Sequence, residues 1–240
     1  VFYAILILFD ALLYYCFRRV VTAQIMENRT STSQNGNRAF NVCGVEFIMV
    51  YVEGGTYVMG SDDTGSAKPV HKVTLSDYYI GETEVTQKLW KAVMGSNPAK
   101  IKGKNCPVEN VSWNDCQEFI GKLNELTGEN FCLPTEAQWE FAARGGNYSK
   151  GYKYSGSNDI DVVAWCWRNS YEMIHPVGTK LANELGIYDM NGNVREWCSD
   201  WYGEYLSVAL TDPTGPLSGS YRVNRGGGWN YDSANCRCAY

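Results

Sequence analysis

Histidine is almost missing from this 240-residue chain: only His71 and His175 occur, far apart. Its nine cysteines contain no Cys-x-x-Cys spacing, so a zinc site is poorly supported. No basic run is long enough to track phosphates and the net charge is −5, which argues against a nucleic-acid partner. No internal repeat appears. The odd cysteine count leaves at least one thiol unpaired within the chain, and most of these cysteines read as small buried hydrophobes. Cys236-Arg-Cys238 is the one close pair.

What the chain has instead is flat side chains and glycine: 8 Trp, 17 Tyr and 24 Gly. That mixture predicts a loop-rich fold burying aromatic rings between irregular segments, since a helix bundle would need far less glycine. Residues 1–17 are apolar except for Asp10, and Arg18-Arg19 follow. A secretory signal places its charge before the apolar run, and a full span needs about 20 apolar residues. Leu13-Tyr-Tyr-Cys16 lacks the small residues that precede a lipoprotein cysteine. The segment 1–19 therefore reads as a membrane-associated or targeting piece, or as an extension without that role. A polar linker over 20–44 and a folded domain over 45–240 follow.

Within that domain, Glu46–Val52, Thr56–Met59 and Val70–Ser76 are predicted strands. Three helices carry their own start signals: Thr86 as N-cap of the first, a Ser112/Asp115 capping box for the second, and a Thr135/Gln138 box for the third. Strands are further expected at His175–Gly178, Tyr221–Arg225 and Cys236–Tyr240. Early helices followed by irregular β-structure predict an α+β fold.

Gly186-Ile-Tyr-Asp-Met-Asn-Gly-Asn-Val-Arg-Glu-Trp197 is the most informative stretch. Asp189 and Glu196 bracket Asn191-Gly192-Asn193, residues that tolerate left-handed backbone and tight turns. Two carboxylates and inward carbonyls suit a hard cation such as calcium. The other reading is an Asn-Gly turn with solvated carboxylates, and the spacing is not that of an EF-hand loop. Arg195 and Asp200 read as solvated loop charges.

Six stretches together resemble the formylglycine-generating-enzyme-like, or sulfatase-modifying-factor, domain family. They are Val52–Gly60, Glu84-Val-Thr86, Pro107–Trp113, Leu133–Phe141, Gly186–Trp197 and Arg222-Val-Asn-Arg-Gly-Gly-Gly-Trp229, in family order and spanning most of 45–240. The resemblance implies a C-type-lectin-like α+β fold with few helices, small antiparallel sheets and much irregular structure. It also implies a calcium site made by the side chains of Asp189 and Glu196 and the carbonyls of Gly192 and Val194. The family usually continues to a segment ending near Gly-Phe-Arg, so a closing β-element is expected beyond Tyr240.

Formylglycine-generating enzymes oxidise a substrate cysteine with copper held by two thiolates, as soft ligands select copper(I). Counting from Gly226-Gly227, the family's first catalytic cysteine falls on Tyr231 and its second on Cys236. A phenol cannot supply the missing thiolate, so true formylglycine generation is not expected. The resemblance leaves two readings. In the first, the domain is a calcium-stabilised binding module of the cell envelope or a secreted protein. It displays Asn230, Tyr231, Asp232 and Asn235 to a protein, peptide or glycan, with Trp229 filling the core. Residues 1–17 would supply any membrane association. In the second, it is an oxidoreductase using Cys236 with copper, or non-haem iron, on a thiol or sulfur-containing substrate. Iron would need more than His71 and His175.

Overall fold

A computed structural model describes residues 31–32, 36–63 and 67–240. The apolar segment 1–19 lies outside the described residues. No described helix is long and apolar enough to cross a membrane.

The chain opens with an antiparallel sheet of β1 (Ser31–Thr32), β2 (Arg38–Val42), β3 (Val45–Val52) and β6 (Tyr78–Gly81), paired in that order. A second sheet joins β4 (Gly55–Met59) to β5 (His71–Leu75) and then to β8 (Leu210–Thr211). The β5–β8 pair is parallel, an exception to the all-antiparallel expectation. The third sheet pairs β7 (Glu196–Trp201) with β9 (Arg222–Arg225), antiparallel.

Strand β2 corrects the linker boundary. It lies inside 20–44 and pairs with β3 residue by residue from Arg38↔Met49 to Val42↔Val45. Phe40 and Val42 are buried by it, and Phe40 stacks on Phe47 at 5.2 Å. The folded part therefore begins before Val45.

The helices start where their caps say. Helix α1 (Gln87–Met94) is capped by the Thr86 hydroxyl accepting from Leu89 N, and Gly95 ends it in a left-handed conformation. Helix α2 (Trp113–Thr127) has the reciprocal Ser112/Asp115 box, and α3 (Glu136–Ala143) the Thr135/Gln138 box. Each box satisfies two backbone donors that the first turn leaves free. Trp90 of α1 stacks on Phe119 of α2 at 4.8 Å, closing a cluster with Val42, Val45, Leu89 and Leu123. A four-residue helix α4 (Ile160–Val163) interrupts the irregular stretch after α3.

Helix α3 is buried nearly all round, as befits an element at the centre of the domain. Trp139, Phe141, Ala142 and Ala143 pack with Val50 and Val52 of β3, Val73 and Leu75 of β5, and Cys198 and Val223 of the third sheet. Glu140, fully buried among them, accepts from Gly60 N at 2.9 Å, Arg144 Nε at 2.9 Å and Arg225 Nη2 at 2.7 Å. Arg225 is 4 % exposed and also donates to the Cys238 carbonyl at 2.6 Å. Burial works against the Arg225 charge, but Glu140 and Glu136 hold its pKa above the usual value.

Two predicted strands are not strands. His175–Gly178 is held by side chains, His175 N donating to Asn193 Oδ1 at 2.9 Å and Gly178 N to Asp189 Oδ2 at 2.6 Å. Cys236–Tyr240 follows a 3₁₀ turn over Ser233–Cys236 rather than forming a ladder. Its carbonyls are taken by side chains instead: Cys236 O accepts from Asn191 Nδ2 and Cys238 O from Arg225.

Candidate functional site

The loop before β7 is a backbone knot. Asp189, Gly192 and Asn193 have φ of 57°, 81° and 51°, all left-handed. Gly192 is obligatory, because a Cβ there would collide with the Trp165 carbonyl. Its N–H donates to Gly226 O at 2.7 Å, and Asn193 N donates to Trp165 O at 2.7 Å. The loop thereby ties residue 165 to the glycine run that ends β9. Asn191 and Asn193 are fully buried. Asn191 accepts from Ser155 N, and Asn193 Nδ2 donates to Glu84 Oε2 at 2.8 Å. The solvated-turn alternative is therefore set aside.

Three carboxylates converge on this knot. Asp189 is 2 % exposed and Glu196 half-buried, and the sequence reading had missed the third, Glu84, 7 % exposed. Glu84 Oε1 accepts Val194 N at 3.0 Å. Burial raises the pKa of all three. Asp189 and Glu196 add repulsion at Glu84, whose pKa stands well above the usual value, and Asp189 adds it at Glu196, pushed to about 8. Trp139 lies close enough to lower Glu196 somewhat, although its indole N–H makes no hydrogen bond of good geometry. Among the described residues no ion pair offsets the three. Asp189 Oδ1 is buried with no hydrogen-bond partner.

Buried acid without countercharge, with an orphaned carboxylate oxygen, fits a hard cation. Among the described residues no three His, Cys, Asp or Glu side chains could hold a metal by themselves. A cation here needs backbone oxygen as well, and Gly192 (buried) and Val194 (half-buried) are the loop positions that the family resemblance implies for it. The signal for Glu84 was weak, as its partners lie up to 110 residues away in sequence.

The second constellation follows β9. Asn230 and Asp232 are exposed, Tyr231 and Asn235 half-buried. The Tyr231 ring carries the Arg195 guanidinium at 4.1 Å and borders a buried cluster of Tyr154, Ile160, Val163, Ala164, Cys166 and Cys236. Cys236 is fully buried, and burial pushes its thiol to about 11. Trp229 corrects the sequence reading: it is half-buried and outside the core clusters. Asp200 is corrected too, being 4 % exposed and accepting from Glu136 N at 3.0 Å. Arg195 is exposed as expected and lines a cavity of about 350 Å³ with Arg222, Asn224 and Asn235. Arg222 lies between the Trp201 and Trp113 rings, at 3.6 and 3.9 Å. Among the described cysteines none forms a disulfide, and Cys43 and Cys132 are exposed.

A fold of few helices and small sheets, with its last strand running into Gly226-Gly227, defines a formylglycine-generating-enzyme-like domain. The family model for the sulfatase-modifying factor enzyme 1-like domain matches residues 45–240, and the chain belongs to that family. It is 38% identical over 231 residues to chaperone protein LppX of Paenibacillus barcinonensis, covering 75% of this chain and 78% of that protein. It is 32% identical over 162 residues to the formylglycine-generating enzyme of Streptomyces coelicolor, covering 61% of this chain and 49% of that enzyme. The chain thus matches about half the length of that enzyme. Among solved structures, Treponema denticola variable protein 1 superposes with a TM-score of 0.79 at 34% identity, over 85% of this chain and 91% of that one.

Proposed function

We propose that the domain is a calcium-stabilised binding module without formylglycine-generating activity, displaying Asn230, Tyr231, Asp232 and Asn235 to a protein, peptide or glycan ligand. One observation carries the reading. Counted from Gly226-Gly227, the place of the family's first catalytic cysteine falls on Tyr231, and Cys236 is fully buried, which pushes its thiol up to about 11. Calcium would be held by Asp189 and Glu196 with the carbonyls of Gly192 and Val194. It would supply the positive charge that the three buried carboxylates lack. Asn193 links the two constellations: its carbonyl accepts Trp229 N at 2.8 Å, so a fixed loop fixes the start of the display segment. A cell-envelope or secreted setting accords with such a role.

The relatives are compatible with binding: one is named a chaperone protein and another a variable protein. The competing reading, a metal-dependent oxidase of a thiol or sulfur-containing substrate, draws on Cys166 sharing the buried cluster of Cys236. Iron is less supported. His71 packs on Tyr205 while His175 stacks on Trp165, so the two rings serve different aromatic contacts.

Peptide and glycan arrays, screened in calcium and in EGTA, test the module. Binding on one of them is expected, weakened by Asn230→Ala and Asp232→Ala and by EGTA. No binding on either, with a melting temperature indifferent to EGTA, would count against the reading.

A further inference from the structure

Two large aromatic side chains near the display segment are left in solvent: Trp167 is 66 % exposed and Tyr171 81 %. Neither belongs to a core cluster, and neither lines the 350 Å³ cavity. Their backbone is nevertheless fixed. Trp167 N donates to Tyr231 O at 3.0 Å, and the fully buried Ser170 donates its hydroxyl to Trp229 O at 2.8 Å. Ser170 O in turn contacts His175 Nε2 at 2.7 Å, and His175 stacks on Trp165 at 3.7 Å. Two hydrogen bonds, from Trp167 and Ser170, thus join the segment to the display loop.

Tyr171 and Glu172 both hold left-handed backbone, φ 54° and 60°. Consecutive non-glycine residues in that region cost free energy that no core packing by their side chains offsets, and such conformations gather at binding and catalytic sites. Trp167 and Tyr171 are of the types that dominate protein–protein hot spots, large rigid rings.

We infer that Trp167 and Tyr171 extend the ligand surface of Asn230–Asp232 into a composite face for a protein partner whose contact segment sets an apolar or aromatic centre among basic side chains. This rests on the binding-module reading. The choice of occupant comes from shape and charge. Small ligands seek concave sites, whereas these rings project outward. Glu172 and Asp232 are exposed and form no ion pair among the described residues, and against these two carboxylates stands one unpaired guanidinium, Arg195 over the Tyr231 ring. The balance of these groups is therefore acidic.

The test is a phage-displayed random dodecapeptide library panned on the whole calcium-loaded chain. Enriched peptides should carry an aromatic or leucine flanked by Lys or Arg. Their affinity should fall about 30-fold or more in Trp167→Ala and in Tyr171→Ala, with an unchanged melting temperature because both rings are exposed. Peptides that survive both substitutions but lose affinity in Asp232→Ala would overturn the extension and leave the display surface standing. Peptides indifferent to all three would overturn both. If no peptide is enriched while a glycan binds on the array, the protein partner is wrong and the binding module stands.

Discussion

Calcium at a hundredfold excess over its dissociation constant is expected to raise the melting temperature of the chelated protein by about 5–10 °C. Binding to the folded state alone contributes about 2.7 kcal/mol at that ratio, and each kcal/mol shifts a domain of this size by about 2–4 °C. The driving force is the uncompensated acid at Glu84, Asp189 and Glu196. Its pH dependence has a fixed sign. The Glu196 carboxyl is raised from 4.5 to about 8 in the fold, so the folded state retains a proton that the unfolded chain has released. Without calcium, stability from this group is fully present below about 4.5 and is lost as pH rises toward about 8. Calcium displaces that proton, so its stabilising increment should grow over the same range. Glu196→Gln and Asp189→Asn should weaken the calcium increment yet raise the stability of the chelated protein, because each removes a carboxyl whose ionisation the fold opposes. Thermal melts at several pH values, with and without EGTA, read all of this. Identical curves in calcium and EGTA would contradict the site.

Arg225→Met should be the most damaging single substitution at the centre of the fold. Glu140 is completely buried, and removing Arg225 takes one of its two guanidinium partners, leaving Arg144 alone to balance it and Glu136 without the ion pair it has now. Breaking a buried pair from one side costs about 3–5 kcal/mol, or about 10 °C here. The Cys238 carbonyl loses its donor as well, loosening the segment that follows residues 230–235. Adding Glu140→Gln should recover part of the loss, since the buried charge that Arg144 alone must then balance goes with it. Urea midpoints of the two single variants and the double variant separate the cases. Strict additivity would mean that the pair is not coupled as its 2.7 Å contact implies.

The elements legible in the sequence are those whose signals are local. Ser112/Asp115 and Thr135/Gln138 are three residues apart, and both capping boxes form. Strand β2 was missed although Arg38-Ala-Phe-Asn-Val42 places Phe40 and Val42 two apart, because the polar composition around it outweighed that short alternation. The failures at 175–178 and 236–240 have another cause. Both segments satisfy backbone groups with distant side chains, Asn193, Asp189, Asn191 and Arg225, so strand propensity had nothing to pair with. Asp189 and Glu196 were readable as a pair of acids in a turn. Glu84 was not, since only the fold brings it to Val194. Trp167 and Tyr171 carry no periodic signal at all, and their interest lies in being exposed while their backbone is held.

The proposed binding module carries out no oxidation, and oxygen uptake tests this most directly. The whole chain is titrated with copper(I) and given a Cys-x-Pro-x-Arg peptide in an oxygen electrode. No copper-dependent consumption and no aldehyde are expected, because the place of the family's first catalytic cysteine, counted from Gly226-Gly227, falls on Tyr231, and Cys236 is fully buried. Copper-dependent turnover lost in Cys236→Ser would contradict that claim and restore the oxidase.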